Sequence, residues 1–375
     1  MDDTARMSML ASRAVASLAS RPLVVDLDGS LVRTDTLLEC VLALLKHPFA
    51  LIRALFALRH GKAHLKQQLA TAAALDAAYL PYNPDVLAYL RAQHATGRML
   101  VLATGADRKT AAAVARHLDL FDAVIASDGR SNRTGSTKLA AIREHLGGAD
   151  FAYVGNSRAD LAVWCEAASG VCVNARPRVA REAARATTME HSIAAEADLW
   201  RPFLRAVRPY RWSKNLLVFV PLVAAQAIGD VAGWAHAIAM FTAFCLTASA
   251  IYLINDLSSL AADRQHPDKR LRPFASGVLP LPVGIVATPL LLLAGFALSW
   301  AAGALSLLVL YAACSCAYLF WLKSHALADV FLPAALCGLC VLAGSVATGY
   351  SVSLWLLVFS SFLFGGLAMV KRVTE

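Results

Sequence analysis

Residues 23–30 read Leu-Val-Val-Asp-Leu-Asp-Gly-Ser, with acids at Asp26 and Asp28. An apolar run of strand length that stops at an acidic turn is the pattern of a buried parallel strand at its carboxyl end. Working outward, similar short runs recur at 99–103, 123–126, 151–154 and 171–173, separated by stretches of helical period. Strand alternating with helix predicts a Rossmann-like α/β domain: a parallel sheet with right-handed crossovers. Ligands of open α/β sheets bind at the carboxyl ends of the strands, which puts Asp26 and Asp28 at a site. The Arg-, Ala- and Glu-rich stretch 176–206 reads as a helical linker.

The chain has 375 residues, of which 58% are hydrophobic and only 16% charged. Soluble domains lie nearer about 45–50% apolar and about 25% charged. Disorder and a wholly soluble enzyme are excluded. The net charge of +9 has no dense Lys/Arg run behind it, so no nucleic acid is expected as partner. A lipid bilayer and phosphorylated substrates fit the charge better. The eight cysteines follow no disulfide spacing, and Cys337 and Cys340 form a CxxC inside an apolar run, where packing is the expected role. No cleavable signal peptide is read at the N-terminus.

Most charged residues precede residue 207. Beyond it lie apolar runs at 216–228, 231–254, 281–303, 305–322, 326–347 and 352–370. A span takes about 20 mostly apolar residues, so five of these qualify and the first is short. Arg208, Arg211, Lys214, Arg264, Lys269, Arg270, Arg272, Lys323, Lys371 and Arg372 fall in alternate connections; those around Asp230, Gly303 and Gly349 carry no Lys or Arg. The positive-inside rule then predicts a multi-pass protein of the cell membrane with its N-terminal domain cytoplasmic.

Three features follow the Asp26–Asp28 turn in order. Thr104 ends a strand, Lys138 follows Ser127-Asp128-Gly129, and Gly155-Asn156-Ser157-Arg158-Ala159-Asp160 follows another strand. Together these resemble the haloacid dehalogenase-like phosphatase superfamily. The resemblance implies a domain over residues 1–200 with a helical cap at about 36–95. It implies Asp26 as phosphoryl-accepting nucleophile, Asp28 as acid and base, and Thr104 and Lys138 as holders of the phosphoryl oxygens. It also implies Mg2+ held by Asp26, Asp28, Asn156 and Asp160. Ser30 and Asn156 stand where the family usually has Thr and Asp. Within the cap, residues 41–59 are very apolar for a surface helix. They predict either packing on the phosphatase core or a face lying on the membrane, with Lys46, Arg53 and Arg59 toward headgroups.

The second half carries Arg208-Pro209-Tyr210-Arg211-Trp212-Ser213-Lys214-Asn215, then Asn255-Asp256, Asp263-Arg264 and His266-Pro267-Asp268-Lys269-Arg270-Leu271-Arg272. Acids for magnesium beside cations for phosphates suit a diphosphate. These motifs resemble the UbiA family of intramembrane prenyltransferases, and more closely its phosphoribosyltransferase branch. That implies an all-α polytopic bundle over 201–375, with about six spans of the family's usual nine or so and a C-terminal part that is incomplete. It implies Asn255, Asp256 and Asp263 on Mg2+, and Lys214, Asn215, Lys269, Arg270, Arg272 and Lys323 on substrate. Asp263 is expected on the face of Asp256 if the helix continues. Ser259 and Cys340 stand where the pattern has an acid and an arginine.

The implied function is a bifunctional enzyme. It would move phosphoribose from phosphoribosyl diphosphate to a polyprenyl phosphate lipid, and its phosphatase would remove the sugar 5-phosphate. Two alternatives stand beside it: an aromatic prenyltransferase using a prenyl diphosphate, and an active phosphatase on a non-catalytic membrane anchor.

Overall fold

The computed structural model describes residues 21–194, 198–322 and 326–353, with Trp355, Val358, Phe362, Gly366 and Met369 beyond them. The chain divides into two compact units. One comprises Met1–Leu199 with Ser258–Leu281; the other comprises Trp200–Leu257 with Pro282–Glu375.

The first unit is built on a six-stranded sheet of β1 (Leu23–Val25), β2 (Leu100–Asp107), β3 (Ala123–Ser127), β4 (Ala152–Gly155), β5 (Ser169–Val173) and β6 (Thr188–Ile193). The order is β3-β2-β1-β4-β5-β6 and every pairing is parallel. Alternate residues serve opposite faces, as the period of two demands. Leu23, Val25, Leu100 and Val154 enter one core, while Val24, Val101, Tyr153 and Trp164 enter the other. β1 lies at the centre, so the acids that follow it emerge in the middle of the sheet's carboxyl edge.

Between β1 and β2 the chain forms α1 (Thr36–Ala43), α2 (Pro48–Phe56) and α3 (Lys62–Ala73), then α4 (Pro84–Ala95). The first three make the cap, whose own core joins Cys40, Leu44, Ala54, Leu69 and Ala70. α5 (Arg108–Leu118) follows β2, α6 (Ser136–Leu146) follows β3 and α7 (Pro177–Ala186) follows β5. The stretch 176–206, read as a helical linker, contains β6 instead. Its sequence Thr-Met-Glu-His-Ser-Ile is half exposed at the sheet edge and lacks the apolar run that marks the inner strands.

The second unit is helical: α8 (Trp200–Val207), α9 (Val231–Ser258), α11 (Leu281–Ala301), α12 (Leu305–Ala317) and α13 (Ala326–Thr348). α10 (Leu260–Gln265) lies between α9 and α11 in the chain and belongs to the first unit. Among the described residues four helices are long and apolar enough to cross a membrane: Val231–Ser258, Leu281–Ala301, Leu305–Leu322 and Phe331–Thr348. The run 216–228 is not one of them. It folds as a 3-10 turn, Pro209–Phe219, and a short helix, Val220–Ala224: Pro221, in the first turn, keeps that helix from continuing the segment before it, and the positive φ of Gln226 follows its end. The run 352–370 falls almost wholly outside the described residues. In the most apolar 18-residue stretch of each helix, 56% of the residues are buried in α9 but only 17% in Leu281–Ala301 and in Leu305–Leu322. Apolar helices so exposed need lipid around them. Gly344 lets α13 pass directly over the backbone of Val218, where any side chain would collide.

Candidate active sites

In the first unit, Asp26, just after β1, meets Lys138 from the first turn of α6 and Asp160 from the turn after β4, which also supplies Asn156 and Ser157; Thr104 lies on β2, the neighbour of β1. Lys138 Nζ donates to Asp26 Oδ1 at 2.8 Å, to Tyr153 OH at 2.9 Å and to Asp160 Oδ1 at 3.2 Å. Tyr153 OH in turn donates to Asp160 Oδ1 at 2.6 Å. The other oxygen of Asp160 accepts from Ser157 N at 3.0 Å, Ser157 Oγ at 2.7 Å and Asn156 N at 3.3 Å. Asp160 thereby holds both the lysine and the turn that carries Asn156. Thr104 is fully buried, and its Oγ accepts from Ala106 N at 3.0 Å. Asp28 Oδ1 accepts from Thr36 N at 2.9 Å, which ties it to the first turn of the cap.

Burial sets the charges here. It pushes Asp26 up to about 6, with Asp160 adding repulsion and Lys138 opposing it. Burial also pushes Asp28 up to about 7, reinforced by Asp35 and Asp26. Burial works against the Lys138 ammonium, but Asp26 and Asp160 outweigh it and raise the group. Burial alone would raise Asp160, yet Lys138, Tyr153 and Ser157 hold it below the usual carboxylate range. A buried acid pair with one nearby ammonium is undercompensated.

Hard oxygen donors of this kind suit magnesium. No three His, Cys, Asp or Glu side chains are grouped closely enough for a metal among the described residues. A magnesium would therefore draw on Asp26, on the Asn156 amide oxygen, and on substrate and water oxygens. Asn156 lies directly against Gly29, whose positive φ and missing side chain admit it. The Asp26 carboxylate and the Asn156 amide oxygen are donors of the kind that magnesium takes.

Two residues escaped the sequence reading. Tyr153 lies on an inner strand face and its spacing carries no signal. Lys66 comes from α3 in the cap and donates to Gly105 O at 2.7 Å and Asn132 Oδ1 at 2.8 Å, beside Thr104. Burial lowers its ammonium, with Asp28 and Asp35 opposing. Only the folded cap brings it there.

The same unit contains the segment 258–281. α9 ends at Ser258, and Ser259 breaks the helix before α10 starts, so the continuous helix expected through Asp263 does not form. Ser259 Oγ donates to Asp263 Oδ2 at 3.1 Å, and Arg272 Nη1 donates to the same oxygen at 2.7 Å. Arg264 grips Glu39 of α1 through both nitrogens, at 2.7 and 2.6 Å, and donates from Nε to Ala275 O at 2.9 Å. Lys269 is half-buried and Arg270 exposed.

In the second unit, the Arg208–Asn215 motif lies along α9. Ser249 pins it, accepting from Trp212 Nε1 at 3.0 Å and donating to Val207 O at 3.0 Å. Arg208 Nη2 reaches both oxygens of Asp256, at 2.7 and 2.8 Å, and Asn255 Nδ2 adds a contact at 3.2 Å. Arg208, Arg211 and Lys214 surround the Tyr252 ring at 5.3, 5.6 and 5.9 Å from its centroid. Three cations around one ring form a basic patch one helical turn before Asp256. Asn215 points elsewhere: Nδ2 donates to Cys245 Sγ at 3.4 Å, and Oδ1 is buried without a hydrogen-bond partner among the described residues. Cys340 is buried in the same helical core, donating to Leu336 O at 3.3 Å. Lys323 lies outside the described residues.

The comparisons with known proteins match both halves. Residues 23–163 match the haloacid dehalogenase-like hydrolase model, and residues 216–374 match that of the UbiA prenyltransferase family. An uncharacterized protein, y4nM, of Sinorhizobium fredii is 34% identical over 94% of this chain and 69% of its own length. The chain belongs to the UbiA prenyltransferase family, with a haloacid dehalogenase-like hydrolase domain ahead of the UbiA domain. The UbiA half is also 38% identical to decaprenyl-phosphate phosphoribosyltransferase of Mycolicibacterium smegmatis, over 46% of this chain and 56% of that enzyme. The chain thus spans little more than half of that relative. A haloacid dehalogenase family hydrolase from Salmonella enterica serovar Typhi aligns at 14% identity and TM-score 0.33, covering 48% of this chain and 69% of that one. The hydrolase domain and the UbiA domain are both of enzyme families, and the latter is a membrane domain.

Proposed function

We propose that the chain is a bifunctional membrane enzyme, a phosphatase over residues 1–200 joined to a transferase over 201–375. The observation that carries the phosphatase reading is Lys138, which bridges Asp26 and Asp160 from a different element of the sheet. Asp26 is the nucleophile: its carboxylate oxygen attacks phosphorus and the ester oxygen departs. Asp28, raised to about 7, gives its proton to that oxygen and then takes one from the water that cleaves the aspartyl phosphate. Thr104 and Lys138 hold the phosphoryl oxygens. Magnesium, held by Asp26 and Asn156, would offset phosphoryl charge. Asp160 fixes Lys138 and the turn of Asn156.

The transferase reading is movement of phosphoribose from phosphoribosyl diphosphate to a polyprenyl phosphate. The lipid phosphate oxygen attacks the sugar carbon and the diphosphate leaves. Arg208, Arg211 and Lys214 around Tyr252 suit an anionic substrate, and Lys269, Arg270, Arg272 and Lys323 are assigned to phosphates. Asn255, Asp256 and Asp263 are assigned to the magnesium that accompanies a diphosphate. The product carries a sugar 5-phosphate, which the tethered phosphatase would remove. The N-terminal unit is assigned to the cytoplasmic side of the cell membrane.

One observation favours a second reading, an active phosphatase on a non-catalytic anchor. Asp256 and Asp263 each already have an arginine partner, and Ser259 brings no charge. Membranes containing the protein, incubated with labelled phosphoribosyl diphosphate and a polyprenyl phosphate, separate the readings. Label in the lipid fraction supports the transferase. Transfer only from a labelled prenyl diphosphate to an aromatic acceptor, supplied in a parallel incubation, points to the aromatic branch. No transfer to either acceptor, with phosphate ester hydrolysis intact, leaves the anchor.

A further inference from the structure

The cap helix α2 turns most of its large apolar residues outward. Ala54 is buried in the cap core with Leu69 and Ala70 of α3, and Ala50 and Leu51 pack against that core. The other large apolar residues are exposed: Phe49 is 88% exposed, Phe56 55% and Ile52 51%, with Leu45, Leu55 and Leu58 exposed beside them. Phe49, Ile52 and Phe56 follow the i, i+3, i+7 spacing of one helical face. A helix of a soluble protein has the opposite arrangement, and a patch of this kind marks a binding surface.

The charge around the patch identifies what covers it. From Cys40 to Leu75 there is no Asp or Glu, while Lys46, Arg53, Arg59 and Lys62 are all exposed. Arg59 lies 4.7 Å over the ring of Phe56, so its charge sits at the edge of the apolar face. Exposed aromatic and aliphatic side chains ringed by cations are the composition of an interfacial helix on an anionic bilayer. The unit is also continuous in the chain, at two points, with helices able to cross a membrane. Its segment 258–281 runs directly into Val231–Ser258 at one end and Leu281–Ala301 at the other, both long and apolar enough to cross.

We infer that α2 docks on the anionic phospholipid surface of the membrane that the chain's own spans cross, with Phe49, Ile52 and Phe56 among the acyl chains and Arg53 and Arg59 at the headgroups. This does not depend on the substrate of either domain. Its consequence is that the cap, which covers the carboxyl edge of the sheet, is held at the lipid surface, so a substrate with a lipid tail reaches Lys66 and Asp28 without leaving the membrane.

The test is nitroxide labelling of the full-length protein, by a noncanonical amino acid placed singly at Phe49, Ile52, Phe56 or, as reference, the exposed Gln68 of α3. The protein is reconstituted in vesicles of phosphatidylcholine with phosphatidylglycerol. Oxygen collides preferentially with labels in lipid, and a water-soluble nickel chelate with labels in water. The ratio of the two at Phe49, Ile52 and Phe56 should exceed that at Gln68 by about tenfold. It should fall toward the Gln68 value in phosphatidylcholine alone and in Arg53→Glu/Arg59→Glu. Labels that read as wet as Gln68 would overturn docking. Labels shielded from both reagents would also overturn it, since a protein surface would then cover the face. Immersion equal in neutral and anionic vesicles would overturn the assignment to anionic lipid.

Discussion

The acids of the sheet site and those of the helical segments are neutralised differently. At the sheet, Asp26 and Asp160 share one lysine, and among the described residues Asp28 has no cation in hydrogen-bond contact. In the UbiA part, Arg208 reaches Asp256 and Arg272 reaches Asp263. A site short of positive charge raises its carboxylates and invites a cation or a proton, which is how a nucleophile and an acid–base group come to differ at neutral pH. A site with matched pairs is settled until a substrate displaces a partner. The comparison therefore predicts chemistry that depends sharply on the sheet acids and structure that depends sharply on the helical pairs.

The largest effect should come from Asp26→Asn. With the nucleophile gone, hydrolysis of a small phosphate ester by the purified protein should fall by about a thousandfold or more. Steady-state turnover measures it, and near-normal turnover would remove the haloacid dehalogenase mechanism. Next is Arg208→Ala, which takes the guanidinium away from the 2%-exposed Asp256. Breaking one side of a buried pair costs about 3–5 kcal/mol, so thermal unfolding in detergent should shift down clearly. Arg208→Ala/Asp256→Ala should recover part of that loss; a double variant no better than the single would mean that the pair is not the source.

A pH profile sharpens the contrast. Asp26 must be ionised to attack and Asp28 protonated to give its proton. Hydrolysis should then rise as pH climbs through about 6 and decline above about 7. Lys138→Met removes the cation that lowers Asp26, so the acid limb of what activity remains should move to higher pH. An unmoved limb would mean that it reports another group. The smallest effect is expected of Ser259→Asp. It replaces a hydroxyl donor to Asp263 by a second carboxylate, which should favour magnesium-dependent binding of phosphoribosyl diphosphate by a few-fold. Equilibrium binding with and without magnesium checks it, and no change would favour the anchor reading.

Much of the sheet was legible. The four inner strands β1, β2, β4 and β5 announce themselves because both faces are buried, and β3, at one edge, still carries the apolar run Ala-Val-Ile-Ala. β6 does not, since an edge strand half in water tolerates Thr, Glu, His and Ser. The membrane helices α9, α11, α12 and α13 are legible for the same reason as the inner strands: lipid, like a core, admits only apolar side chains over a fixed length. The run 216–228 misleads because composition does not register the break imposed by Pro221 and Gln226. The motif residues Asp26, Thr104, Lys138 and Asp160 could be named from their order together with the resemblance to the haloacid dehalogenase-like phosphatases. Tyr153, Lys66 and the Arg264–Glu39 pair could not, because nothing in their own neighbourhood marks them.

The sequence by itself determined the strands, the apolar helices and the identity of the acids, because each is dictated by local burial or by a short motif. Only the tertiary structure decided which cation answers each acid. Lys138 is 112 residues from Asp26, Arg208 is 48 from Asp256 and Arg264 is 225 from Glu39. Contacts across such separations are set by strand order and helix packing, and no window of sequence carries that information. The same holds for α2. Its apolar residues were plain to read, but whether they faced the core or the outside depended on which side α3 covered with Leu69 and Ala70.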